Sequence, residues 1–245
     1  MSVIHAIPGF SEPFSSLSHL VAAGVFFTLG GYALYRNWGH RGRFFGLSVF
    51  VFACVFLLSM SGVFHLLKPG GIERMVMQRL DHAAIFIQIA GTFTPIHIML
   101  FRGWRRWGML LLIWTIAITG LTLKSIFFQE LPEWVGLMLY LGMGWLGAIS
   151  AFMMYQPYGM RFFKPLVLGA IAYTVGAILD FLQTPTLIPG VIGPHELFHI
   201  LVLFGIGYHW LMISRITWAH RSGDLVPAMP SQDYAIAPVT ADEYS

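Results

Sequence analysis

The sequence predicts an all-α membrane protein, a single seven-transmembrane helix bundle, on three observations. Hydrophobic residues make up 57% of the 245 and charged residues only 10%, with a mean hydropathy of +0.71; ordinary soluble domains are far less apolar. Apolar runs of about 20 residues, enough to cross roughly 30 Å of hydrocarbon, recur between charged or Pro/Gly punctuation. The connections between them are short, with no second domain and no short-period repeat.

Taken in order, the spans fall near residues 17–35, 44–67, 80–101, 107–126, 134–154, 163–182 and 195–216. The first follows MSVIHAIPGFSEPFSS, which lacks the basic region, apolar run and small-residue cleavage site of a signal peptide, so this span is expected to stay as an anchor. RNWGHRGR separates it from the second, KPGGIERMVMQR the second from the third, and RGWRR the third from the fourth. FFQELPE and YQPYGMR bracket the fifth, and the Pro- and Gly-rich QTPTLIPGVIGP leads into the seventh. The chain thus divides into an N-terminal segment over 1–16, the helical domain over 17–217 and a polar tail over 218–245 expected to be disordered.

The formal charge of +3 and a pI near 9.1 do not indicate nucleic acid, because Lys and Arg are scattered over loop ends instead of gathered on one face. Topology explains them better. Arg36, Arg41, Arg43, Arg102, Arg105, Arg106, Arg161, Lys164, Arg215 and Arg221 follow spans 1, 3, 5 and 7, against Lys68, Arg74, Arg79 and Lys124 on the other side. Ten against four places the odd-numbered loops and the C-terminal tail in the cytoplasm and the N-terminus outside. The short loops and lack of targeting signals suit a multi-pass protein of a bacterial inner membrane. One cysteine, Cys54, lies inside an apolar run, so any metal must be held by His and carboxylates.

Chain direction alternates with each crossing, so the start of span 1, the end of span 2, the starts of spans 3 and 7 and the ends of spans 4 and 6 share one membrane face. The unusual polar residues collect there. Span 2 ends SMSGVFHLL, with Ser61 and His65 one helical turn apart; span 3 begins RLDHAAIF, with Asp81 and His82; span 7 begins with PHELFH, placing His195 and His199 at i and i+4. The start of span 1 adds Glu12, Ser15 and His19, and spans 4 and 6 end near Lys124 and Asp180.

Polar residues at membrane depth are costly and face the bundle interior, where they pair or bind something. His195 and His199 from one helical turn, with His65 from a facing helix, can bind zinc and leave the fourth tetrahedral position for water. Asp81 is then placed to orient or deprotonate that water, and Ser61 to hydrogen-bond a ligand, the water or a substrate oxygen. Each residue also has a plainer reading, since a single membrane His is more often an interhelical hydrogen-bonding group than a ligand. On that basis His82 is assigned to interfacial packing, His97 to an interhelical hydrogen bond near Pro95, and His209 to an aromatic belt. Asp180 reads as a local cap, Lys124 as a snorkelling residue and Glu12 as a first-turn helix charge. The coincidence of depth across three spans carries the metal reading.

The ordered motifs match a family. Glu12, Ser15 and His19 as E-x2-(N/S)-x3-H, Ser61 and His65 as S-x3-H, Arg79, Asp81 and His82 as R-x-D-H, GTFTP at 91–95, Trp114, Ala117, Gly120 and Lys124 as W-x2-A-x2-G-x3-K, and HELFH at 195–199 resemble the progestin and adipoQ receptor family, most of all its bacterial hemolysin III branch. The resemblance covers roughly residues 12–215. It implies a seven-helix fold and zinc held by His65, His195 and His199, with Asp81 holding the water and Ser61 nearby. The wider superfamily includes alkaline ceramidases, which implies metal-dependent amide hydrolysis on a lipid. Ser15 stands where the family pattern has Asn, and the charge count puts the zinc side outside, where adiponectin receptors have it toward the cytosol.

The function expected is therefore that of a zinc-dependent intramembrane lipid hydrolase, an amidase or esterase acting on a membrane lipid or lipid-derived substrate, with no nucleic-acid partner. A receptor or membrane-homeostasis regulator with structural zinc is the alternative, and a pore-forming hemolysin a third. The polar residues stop at one level and draw no ion path through the bilayer. HELFH also spells the H-E-x-x-H of soluble zinc proteases, where the Glu is the base; here that role goes to Asp81, and Glu196 is left to support the ligands or the interface.

Overall fold

The computed structural model describes residues 4–222, which form α1 (Pro13–Arg36), α2 (Arg41–Leu66), α3 (Ile72–Leu100), α4 (Gly103–Ile126), α5 (Glu133–Trp145), α6 (Gly147–Tyr158), α7 (Met160–Leu182) and α8 (Pro194–Ser222). Seven spans are long and apolar enough to cross a membrane, with α5 and α6 together supplying one of them. The described residues contain no strand, only isolated bridges at Ile7–Phe10 and Ile188–Ile192.

Successive helices pack side by side from α1 to α4, α7 packs on α8, and α8 returns to α1, while α5 and α6 lie between the α3–α4 side and α7. Helix α3 is the centre: 72% of its apolar window is buried, against 17% for the α5–α6 span. Its sequence explains this position. Lipid tails are as apolar as leucine, so helices associate through close packing and interhelical hydrogen bonds. Ala83, Ala84, Ala90 and Gly91 keep the surface of α3 low. A Cβ on Gly91 would lie only 2.6 Å from the Cβ of Ala53 on α2. The buried hydroxyls are satisfied within the helix, Thr92 donating to the Gln88 carbonyl at 2.9 Å and Thr94 to that of Ala90 at 2.8 Å.

Several helix ends differ from the sequence boundaries. Helix α3 starts at Ile72 instead of 80, because its first turns are polar and hydropathy alone does not register them. Its early arginines are engaged: Arg79 donates to the Ser125 carbonyl at 2.8 Å, and Arg74 caps α2 through the Leu67 carbonyl. Helix α1 begins at Pro13 and α8 runs to Ser222, so the domain extends beyond 17–217; residues 223–245 of the expected tail lie outside the described residues. The fifth span is interrupted at Leu146, which keeps right-handed angles of φ −57° and ψ −23°. Gly142, Gly144 and Gly147 flank it, each roughly 1 kcal/mol less favourable in a helix than Ala.

The N-terminal segment closes over the end of the bundle where α2 stops and α8 starts. The backbone N–H groups of Ser11 and Glu12 donate to the carbonyls of Leu66 and His65, at 3.3 and 3.1 Å, satisfying acceptors that the end of α2 would otherwise leave open. The His5 N–H donates to the Gly190 carbonyl at 2.9 Å, joining this segment to the loop before α8.

Candidate metal centre

Three imidazoles converge under that segment. Helix α2 delivers His65 in its last turn, and α8 delivers His195 and His199 from its first two turns. The Nε2 of His195 lies 3.3 Å from Nε2 of His65 and 3.0 Å from Nε2 of His199. One ligand atom from each residue falls within 4.8 Å of the others. His65 and His199 are each only 2% exposed, and His195 is half-buried toward the rim.

Carboxylates fix which nitrogen of two of these rings points inward. Nδ1 of His65 meets Oε2 of Glu12, and Nδ1 of His195 lies 3.0 Å from Oδ1 of Asp180. A carboxylate accepts, so each Nδ1 carries the proton and donates it. The Nε2 atoms are left with lone pairs, directed at one another across a distance where they repel unless a proton or cation lies between them. Ligand nitrogens of a tetrahedral zinc sit about 3.3 Å apart, close to the spacing here. This donor set fits a divalent cation, and hydrogen-bonded carboxylates behind His ligands are the usual support of such a site.

Glu12 is held by more than His65. Its Oε1 accepts from Nη2 of Arg74 at 2.5 Å. Partial burial works against its charged form, but the hydrogen bonds from His65 and Arg74 and the positive charge of Arg74 outweigh that and hold its pKa at about 2. The sequence reading of Glu12 as a first-turn charge and Asp180 as a cap missed these partnerships. They pair across 53 and 15 residues of chain, with no periodic signal; the depth coincidence of the two carboxylates with the His residues was the available clue.

Asp81, Ser61 and His199 all lie on the wall of a mostly apolar cavity of about 350 Å³. The Ser61 side chain is buried. His19 is also on this wall, its ring 4.0 Å from that of His199, with neither of its nitrogens hydrogen-bonded. The cavity runs between α3, the α5–α6 span, α7 and α8, and of the three imidazoles His199 is on its wall, so a long apolar chain could lie in it with its polar end toward that ring.

Glu196 is turned to other work. Its Oε1 accepts from Ser15 Oγ at 3.2 Å and its Oε2 from the Gly193 N–H at 3.0 Å. It therefore ties α1 to α8 and caps the start of α8, and the Ser at position 15 makes the contact from span 1. His82 donates from Nδ1 to the Gln78 carbonyl of its own helix at 2.8 Å. His97 bridges helices as expected, Nε2 to Ser150 Oγ at 2.9 Å and Nδ1 to the Arg105 carbonyl at 3.1 Å.

Two assignments need correction. His209 is not in an aromatic belt: it is buried, its Nε2 faces the Leu166 carbonyl at 3.3 Å, and its ring fills the notch left by Gly169, where a Cβ would come within 2.5 Å. Lys124 does not snorkel; it is buried with Nζ 4.9 Å from the centre of the Phe128 ring.

Residues 10–210, which include the whole histidine and carboxylate cluster, match the family described as Haemolysin-III related. The chain is 31% identical to Hemolysin-3 of Bacillus cereus over 161 residues, covering 66% of this chain and 68% of that protein. It is 30% identical to the Hemolysin-3 homolog of Bacillus subtilis strain 168 over 142 residues, 58% of this chain and 66% of that protein. A seven-span helical bundle with its histidine cluster at one end, matched over most of its length, belongs to the haemolysin-III related family.

Proposed function

We propose that this protein is a zinc-dependent lipid hydrolase of the membrane, cleaving an amide or ester bond in a long-chain lipid. The observation that carries the reading is the convergence of three Nε2 atoms beside an apolar cavity that His199 shares with Asp81 and Ser61. His65, His195 and His199 would hold the ion, and imidazole donors without a thiolate suit zinc. Bound there, zinc supplies Lewis acidity toward a carbonyl oxygen and raises the acidity of water.

The chain's own groups supply the rest. Asp81 accepts the proton of the attacking water and returns it to the leaving group. Ser61 donates a hydrogen bond to the substrate carbonyl region. Glu12 and Asp180 keep the His65 and His195 rings turned with Nε2 inward. The cavity excludes bulk water and holds the acyl chain.

The test is metal analysis of the purified protein beside His65→Ala and His199→Ala, paired with fatty-acid release from ceramide-like N-acyl lipids and from ester lipids. The expected result is one zinc per chain, lost in both variants, and release that stops with a strong chelator and in Asp81→Asn. Release that persists in His199→Ala would sink the mechanism. A second reading, a regulator with structural metal, draws on the same pairs: His65–Glu12 and His195–Asp180 link the N-terminal segment, α2, α7 and α8. An Asp81→Ala protein that binds zinc and retains its regulatory phenotype would favour it.

A further inference from the structure

The far part of the cavity carries polar groups that the proposed hydrolysis does not use. Gln88 Oε1, the Tyr173 hydroxyl and His209 Nδ1 are buried atoms with no hydrogen-bond partner, and all three residues line the cavity. Their neighbours on the same wall are satisfied: Thr92 by the Gln88 carbonyl, and His97 by Ser150 and the Arg105 carbonyl. Buried polar groups in a membrane protein have no lipid partner to fall back on, so three left open around one cavity point to a ligand group that meets them.

These groups form a layer. Gln88 is seven residues along α3 from Asp81, and Tyr173 seven residues along α7 from Asp180; each interval is roughly 10 Å of helix rise. The Tyr173 and His209 rings are 5.3 Å apart.

The open positions also have a definite polarity. With His209 Nε2–H donated to the Leu166 carbonyl, Nδ1 is an acceptor, as is Gln88 Oε1; the Tyr173 hydroxyl can donate or accept. Two acceptors and one donor match a hydroxyl, which gives one hydrogen bond and takes another. A ketone could use only Tyr173, and a plain methylene nothing.

We propose that Gln88, Tyr173 and His209 form a hydroxyl-recognition subsite, so that the lipid taken up carries a mid-chain hydroxyl roughly 10 Å from the group presented to the histidines. The subsite rests on the lipid reading given above and names the substrate class within it. The test is equilibrium binding of purified full-length protein in detergent to three matched N-stearoyl amides: unsubstituted, mid-chain hydroxy and mid-chain keto. The hydroxy chain should bind about tenfold tighter than the unsubstituted one, with the keto chain between. Tyr173→Phe and Gln88→Leu should level that preference, the three chains then binding with nearly equal affinity. Equal affinity for all three chains, or a preference that survives both substitutions, overturns the subsite alone. If no chain in the set binds, the lipid reading falls and takes the subsite with it.

Discussion

Asp180 at the end of α7 holds His195 at the start of α8, with its Oδ1 3.0 Å from Nδ1, while Nε2 of the same ring points at the two other histidines. The carboxylate thus selects the tautomer that leaves a lone pair for a cation. Asp180→Asn removes the charge but keeps the size of the side chain. Metal affinity should fall about 10- to 100-fold, measured by competition with a chelator of known strength. Unchanged affinity would mean that the α8 turn orients His195 by itself.

Glu12 plays the same part for His65 and adds an ion pair with Arg74. Its pKa of about 2 lies below the ordinary 4.5, so the folded state binds fewer protons at that carboxyl than the unfolded state, and stability rises with pH across this window. The contribution should be complete above 4.5 and lost as pH falls toward about 2. Melting Glu12→Gln beside the wild type in detergent tests the sign: the gap between them should be constant near neutrality and shrink with acidification below 4.5. A gap that widened in acid would contradict the assignment.

Much of this was legible in the sequence, and the failures share a cause. Span number follows from run length against bilayer thickness, and His195 and His199 announce themselves by i, i+4 spacing. His65 was placed with them by counting crossings, because its depth is set by topology. Glu12, Asp180 and His209 were misread because their partners come from other helices, and nothing in a local window states which helices touch. The interruption at Leu146 was missed because hydropathy is blind to backbone angles.

Close approach of α2 and α3 puts Ser61 of one helix and Asp81 of the other on one cavity, and Gly91 permits it. Its missing Cβ would stand 2.6 Å from the Cβ of Ala53. Gly91→Ala should cost about 1–3 kcal/mol through overpacking, read as a loss of thermal stability in detergent. Ala53→Gly in the same chain should restore most of it, since the clash is with that one methyl. Failure of the second substitution to rescue would place the strain elsewhere in α3.

Glu196 separates this site from the soluble zinc proteases that share its motif. Both of its oxygens are occupied, by Ser15 Oγ and the Gly193 N–H, so neither is free to take a proton from water at the three imidazoles. A Gln amide keeps one acceptor for Gly193 and offers a donor to Ser15. Glu196→Gln should therefore retain metal and lose only about 1 kcal/mol of stability. Fatty-acid release, if the proposed activity holds, should survive Glu196→Gln and vanish in Asp81→Asn with metal still bound. The reverse pattern, turnover lost in Glu196→Gln and kept in Asp81→Asn, would return the base to the motif and require Glu196 to swing free of both partners before reaction.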